Sequence, residues 1–311
     1  MAIKRHRLPH FSLWLPHHWP FWLGVGLLRS VILLPYPWAI RSGETIGLLL
    51  GMIPSNRRQV AAINIKLCFP ELDQIAQQNL VKAHFKSVGA GLIETVMAWW
   101  GSEAQLKKRV EIRGQEHLQV AIAQGRGLIL LGAHFTTLEL GGRFLAMHCP
   151  HIHFGALYRK HQHPVIEYLV STNREKRFGA AINRDDIRMV IKSLKKNFAV
   201  WYAPDQHYGH KNRVFVPFFN IPASTNPYTA RLAKISRAPV IPFFTRRLAD
   251  ATYIIELLPP LENYPSEDLV ADTRRMNTLI EEKVRLAPEQ YFWVHRRFKS
   301  QPDPGVHFYP K

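Results

Sequence analysis

From about residue 110 onward, apolar runs of strand length alternate with amphipathic stretches of helix length, and that alternation narrows the fold more than any other feature of the chain. The runs fall at 128–132, 153–157, 199–202, 240–244 and 253–257. Helical patterns fall between and after them, near 137–147, 164–178, 185–197, 226–236 and 267–286. Such a pattern predicts an α/β fold, an open mixed sheet flanked by helices. Ahead of it, 73–100 predicts a long helix, because Leu80, Val81, Phe85, Val88, Leu92 and Val96 recur at helical spacing.

The amino-terminal region differs. Residues 1–18 are polar and cationic, with Lys4, Arg5 and Arg7 among several histidines. An apolar stretch at 19–40 follows, interrupted by Arg29 and Ser30. As one helix it would reach roughly 33 Å, about one bilayer thickness. No small-residue cleavage site follows, which argues against a removed signal peptide. Trp14, Trp19, Trp22 and Trp38 stand where interfacial aromatics are expected. The expectation is a transmembrane or membrane-anchor helix that spans the bilayer, or enters it part-way with Arg29 snorkelling. The competing reading is a buried helix of the core. Charge does not orient the segment, since Lys4, Arg5 and Arg7 precede it and Arg41, Arg57 and Arg58 follow. The expected organisation is a basic N-terminus and anchor segment at 1–42 and a catalytic domain at 43–311, with a helical lead-in at 43–109 and an α/β core at 110–311.

Lys plus Arg number 41 against 23 Asp plus Glu, a formal charge of +18 over 311 residues. That excess calls for an anionic partner: nucleic acid, an anionic membrane or phospholipid, or an acidic protein. The basic residues are scattered rather than gathered in one tail, which favours a folded basic surface over a nucleic-acid arm. Cys68 and Cys149 are the two cysteines. Neither has a paired or zinc-ligand spacing, so no disulfide framework or structural zinc is expected.

Four segments carry groups able to do chemistry. The sharpest is 125–139, where a strand ends at His134 and Glu139 follows five residues later. If the helix starts at Thr136 or Thr137, Glu139 falls in its first turn beside His134, a base next to an acid that fixes its tautomer. Alternatively Thr136-Thr-Leu-Glu139 is a capping box that only starts the helix. Tyr158-Arg159-Lys160 ends the next strand; Arg159 there suits a phosphate or a thioester oxyanion, or is a solvated edge. Asp205 ends the following strand, in Trp201-Tyr-Ala-Pro-Asp205, ahead of a basic loop from His207 to Arg213. Polar groups at successive strand carboxyl ends mark the ligand side of an open α/β sheet. The fourth segment, 288–299, joins aromatics to His295, Arg296, Arg297 and Lys299. It reads either as a lipid interface with an anionic head group or as an amphipathic helix with a solvated basic end.

Taken together, these blocks resemble the late acyltransferases of lipid A biosynthesis, most closely their lauroyltransferase branch. The resemblance runs from about residue 10 to the C-terminus. It rests on Leu34-Pro-Tyr-Pro37, Asn64-Ile-Lys-Leu-Cys-Phe-Pro-Glu71, Gly91-Leu-Ile-Glu-Thr-Val-Met-Ala-Trp99, the H-x4-E pair His134 and Glu139, Tyr158-Arg159, Trp201-Tyr-Ala-Pro-Asp205, Val214-Phe-Val-Pro217, Ala287-Pro-Glu-Gln290 and His295-Arg-Arg-Phe-Lys299. One H-x4-E would be weak; this many blocks in one order is specific.

The resemblance implies a glycerolipid-acyltransferase-like fold and an inner-membrane enzyme with its catalytic face in the cytoplasm. It implies a lauroyl-type thioester on acyl carrier protein as co-substrate, and no bound cofactor or metal. The acceptor would be a 3-hydroxyacyl hydroxyl of Kdo2-lipid IVA. The implied partners are the carrier protein, that glycolipid and the anionic inner membrane, without nucleic acid. The family's histidine and acid map onto His134 and Glu139, with Glu139 holding the imidazole of His134. Arg159 and Asp205 map onto its downstream arginine and aspartate blocks, and Arg296 and Arg297 would hold acceptor phosphate or Kdo carboxylate. Two rivals stay open: a lysophospholipid acyltransferase with the same dyad, and a non-catalytic basic membrane-associated binding protein.

Overall fold

The structure, a computed structural model, describes residues 10–310, so the basic cluster of Lys4, Arg5 and Arg7 lies outside the described residues. In chain order the helical region comprises α1 (Trp19–Ser30), α2 (Tyr36–Met52), α3 (Asn56–Cys68), α4 (Gln74–Trp100) and α5 (Glu103–Lys107). The α/β region continues with β1 (Val110–Arg113), α6 (Gln115–Ala123), β2 (Leu128–Leu131), α7 (Leu138–His148), β3 (Phe154–Tyr158), α8 (Pro164–Phe178), β4 (Gly179–Asn183), α9 (Ile187–Lys195) and β5 (Ala199–Tyr202). A hairpin of β6 (Val214–Phe218) and β7 (Ile221–Thr225) follows, then α10 (Tyr228–Ser236), β8 (Val240–Arg247), β9 (Tyr253–Leu257) and α11 (Leu269–Leu286).

The apolar stretch at 19–40 is not one helix, which corrects the expectation of a spanning anchor. Pro35 has no amide hydrogen to donate and drives the residue before it out of the helical region. Leu34 is accordingly extended, and the chain restarts at Tyr36 with a proline in the first turn of α2. The twelve residues of α1 rise about 18 Å against a hydrocarbon core of about 30 Å. No helix among the described residues is long and apolar enough to cross a membrane. The exposed Arg29 lies at the end of α1 with its guanidinium 5.7 Å from the ring centroid of Trp100.

What holds this region is α2 against α4. A Cβ on Gly89 would fall 2.0 Å from the Gly43 carbonyl oxygen, and one on Gly47 would fall 2.1 Å from that of Phe85. The helices therefore meet backbone to backbone, a contact only glycine permits. Trp22, Val25 and Leu28 of α1 pack partly against the core, and the outward faces stay uncovered. α1 buries none of its residues. Trp19, Leu23, Leu27, Trp38, Leu49 and Leu50 are all exposed.

A seven-stranded sheet runs in the order β1-β9-β8-β2-β5-β3-β4, parallel except where β8 meets β9. At its centre every residue of β2 is buried, as a parallel strand covered on both faces requires. The elements absent from the sequence reading have weak local signals. β4 is a short edge strand of small residues, Gly-Ala-Ala-Ile-Asn. β6 and β7 carry Pro217 and Pro222 and pair only with each other, outside the main sheet. Segment 288–299 is not a helix: a single 3-10 turn at Pro288–Gln290 gives way to a run of turns and bends, and Tyr291 bridges Phe135.

Candidate active site

Register builds the centre of the site. β2 and β5 are parallel neighbours, with Leu131 opposite Tyr202. His134 and Asp205 each lie three residues beyond that pair, so both loops leave the sheet side by side at its carboxyl end. There the two residues meet twice. His134 Nδ1 lies 2.7 Å from Asp205 Oδ1, and the His134 backbone amide donates to Oδ2 at 3.0 Å.

Asp205 is about 1% exposed. Burial alone would raise its pKa, but the charge and hydrogen bonds of His134 overcome that and hold it at about 2. An ionised carboxylate only accepts. Nδ1 of His134 must therefore carry a hydrogen, and in the neutral form of this half-exposed ring Nε2 is the lone-pair acceptor. The geometry is that of a general base with an orienting acid.

A second layer fixes this pair. Tyr291, buried and further disfavoured as a phenolate by the neighbouring Asp205, has its hydroxyl pKa pushed well up. Burial likewise lowers His295 to about 4, so it is neutral and its Nε2 accepts from the His207 backbone amide at 3.0 Å. Asn64 donates to the carbonyls of Trp293 and His295 at 2.6 and 2.8 Å, tying α3 to segment 288–299.

Glu139 does not hold the His134 ring. Its carboxylate is taken by Arg174, through Nε at 2.9 Å and through Nη2, and by the Trp99 indole at 3.4 Å. The carboxylate that meets the His134 ring is instead that of Asp205, which sequence alone mapped onto the family's downstream aspartate block. The capping-box alternative does not form either. The helix begins at Leu138, and no side chain caps it. Thr136 Oγ1 bonds Ser87 at 2.8 Å and Thr137 donates to the Thr245 carbonyl at 3.0 Å.

Arg159 is exposed at the end of β3. The arginine brought to the site is Arg174, on the inner face of α8 with 12% of its side chain exposed. Its surroundings, Asn173-Arg-Glu-Lys-Arg177, read as an ordinary solvated helix face, so no local signal marked it. Arg297 is not available to acceptor phosphate: it is buried and donates to the Ser224 carbonyl and Thr225 Oγ1, both at 2.8 Å. Arg296 is half-buried, donating to Asn56 at 3.2 Å and lying over the Tyr309 ring.

Beside the dyad, a narrow cavity of about 40 Å³ runs between the sheet and helices α7 and α8. Leu130, Leu138, Leu145, Phe154, Phe178 and Phe243 line it, and Glu139 and Arg174 supply its charged wall. Trp201 belongs to both places, lining the cavity and standing edge-on to His134 with ring centroids 6.1 Å apart. A narrow apolar slot beside a polar reactive pair suits a molecule with a hydrocarbon tail and a reactive head.

Comparison with known proteins points the same way. The profile of the family described as bacterial lipid A biosynthesis acyltransferase matches residues 7–300. The chain is 40% identical to the lipid A biosynthesis lauroyltransferase of Escherichia coli, over 95% of this chain and 97% of that one. It is 36% identical to the palmitoleoyltransferase of the same organism, over 92% and 93%. To that organism's lipid A biosynthesis myristoyltransferase it is 28% identical, over 92% and 88%.

Proposed function

Since this chain belongs to the bacterial lipid A biosynthesis acyltransferases, we propose that it transfers a fatty acyl chain, lauroyl in the first instance, from acyl carrier protein to a 3-hydroxyacyl hydroxyl of Kdo2-lipid IVA. The observation that carries this reading is the His134–Asp205 pair beside an apolar cavity. The identity to the lauroyltransferase favours the lauroyl chain over the palmitoleoyl and myristoyl alternatives. The excess of positive charge suits an anionic glycolipid and an acidic carrier protein together.

In the proposed reaction Nε2 of His134 takes the proton of the acceptor hydroxyl as its oxygen attacks the thioester carbonyl carbon. Asp205 stabilises the imidazolium that forms. The tetrahedral oxyanion collapses, the carbon–sulfur bond breaks, and the departing thiolate takes the proton back from His134. Both atoms and charge balance without an acyl-enzyme. Arg174, held through Nε and Nη2 by Glu139, presents the remainder of its guanidinium at the cavity wall, where it would stabilise the thioester oxygen. Glu139 is then the residue that aims an arginine rather than a histidine.

The exposed apolar faces of α1 and α2 support association with the cytoplasmic face of the inner membrane, the helices lying in the interface with the site beside them. The test is an assay of purified protein in detergent with lauroyl carrier protein and a Kdo-linked tetra-acyl acceptor, and lysophosphatidic acid in parallel. Transfer to the glycolipid that is lost in His134→Ala is the expected result. Transfer to lysophosphatidic acid alone would overturn the acceptor and keep the base.

A further inference from the structure

Three of the sequence blocks that the proposed chemistry leaves without a task converge on one buried polar chain. The block at 34–37 contributes Tyr36, the block at 91–99 contributes Glu94, and the block at 287–290 contributes Gln290. Tyr36 hydroxyl lies 2.7 Å from that of Tyr253, which donates to Glu94 Oε1 at 2.7 Å. Arg247 Nη1 donates to the same oxygen at 2.6 Å, and its Nη2 donates to Ser87 Oγ at 2.8 Å. Ser87 Oγ in turn bonds Thr136 Oγ1. The chain thus ends two residues from His134.

A second route closes the loop. The Gln290 side chain accepts from the Arg247 amide at 2.9 Å and donates to its carbonyl at 2.8 Å. The Gln290 carbonyl accepts from the Thr136 amide at 2.8 Å, and the Phe292 amide donates to the His134 carbonyl at 2.9 Å. α4 also presses on the loop directly, since a Cβ on Gly91 would fall 2.6 Å from the Thr136 carbonyl oxygen.

We infer that Ser87, Glu94, Arg247 and Gln290 are positioning residues that act through Thr136 to hold the His134 loop in register with Asp205. Stability alone does not account for the arrangement. Burying an ion pair costs desolvation that its attraction often fails to recover. Here Glu94 is completely buried, and its Oε2 has no hydrogen-bond partner among the described residues, a further cost. What the network supplies is two holds on Thr136, one on its side chain and one on its amide, joined at Arg247. Because Tyr36 opens α2, that helix is hydrogen-bonded into the same network.

This inference rests on His134 as the base, so the experiment reads geometry and turnover separately. Thr136→Val removes only the hydroxyl from a side chain of the same shape; Thr136→Ser keeps it. Thr136→Val should lower kcat by roughly 10–100-fold, the scale of an ångström-sized misplacement. KM for both substrates and the thermal midpoint should stay near wild type, and Thr136→Ser should restore turnover. In proton NMR, a low-field resonance from the His134 Nδ1 hydrogen, absent in Asp205→Asn, should shift or broaden in Thr136→Val and be retained in Thr136→Ser. Wild-type kcat and an unmoved resonance in Thr136→Val would overturn the inference, as would an equal fall in both variants. A wild-type protein that transfers no acyl chain, yet shows the resonance responding as stated, would overturn the acyl-transfer reading and support the positioning.

Discussion

Replacing Asp205 by Asn tests the active-site geometry with the least change of shape. In the native site one carboxylate accepts two hydrogen bonds, from Nδ1 and from the backbone amide of His134. Asparagine offers one acceptor oxygen and one donor nitrogen. If its oxygen faced Nδ1, its NH2 would oppose the His134 amide, two donors in a buried site, at a cost of about 1–3 kcal/mol. Turning the amide round avoids this but sets the NH2 against Nδ1, which must then become the acceptor. The ring hydrogen moves to Nε2, the atom that has to receive the hydroxyl proton. The second arrangement is cheaper, and it disables the base. Trapping the wrong tautomer in a serine-protease triad costs about 10⁴ in kcat, and a loss of about 10³–10⁴, or about 4–5 kcal/mol, is expected here. Mass-spectrometric counting of acylated glycolipid in single turnovers would measure it, with the fold checked by circular dichroism. A kcat within about tenfold of wild type would show that Asp205 does not set the tautomer and that the inferred chemistry is wrong.

Other consequences are separable. Arg174→Ala should lower kcat by about 10²–10³, as loss of one oxyanion donor does, with acceptor KM little changed; a rise in KM alone would make Arg174 a binding residue. Gly89→Ala drives a methyl against the Gly43 carbonyl and should destabilise the fold by about 1–3 kcal/mol, read as a lower thermal midpoint; an unchanged midpoint would mean that α2 and α4 separate freely. Asp205 also makes a pH prediction. A carboxyl held at about 2 instead of 3.8 stabilises the fold above its unfolded pKa and loses that contribution as pH falls through the folded value. About 2 kcal/mol present above pH ~4 should fade between about pH 4 and 2, so the stabilities of wild type and Asp205→Asn should converge over that window. A constant offset between them would assign the titration elsewhere.

The α/β architecture was legible because its signals are local. Strand-length apolar runs at 128–132 and 240–244 and the helical period at 73–100 report burial directly, and each element appears where the pattern placed it. The order of blocks sufficed for the family. His134 and Asp205 could both be singled out because each follows a strand end, but their pairing could not be read. Seventy-one residues separate them, and only the adjacency of β2 and β5 makes them neighbours. Glu139 was the natural partner in sequence because it is five residues away. Yet α7 begins at Leu138, and the Glu139 carboxylate lies against Arg174 and Trp99.

Composition established a cationic surface, but not which cations are free. Arg297 looked like part of a basic run and is buried among Ser224, Thr225 and the Phe218 ring. The apolar stretch at 19–40 was long enough for a membrane span until Pro35 is given its steric weight, which divides it into α1 and α2. Residue type and spacing therefore determined the class of fold and the family and singled out His134, because propensity, periodicity and motif order are properties of neighbours in the chain. Strand order and helix packing decided which acid orients His134, which arginine faces the cavity and which charges are spent inside the protein, because hydrogen bonding and desolvation depend on neighbours in space.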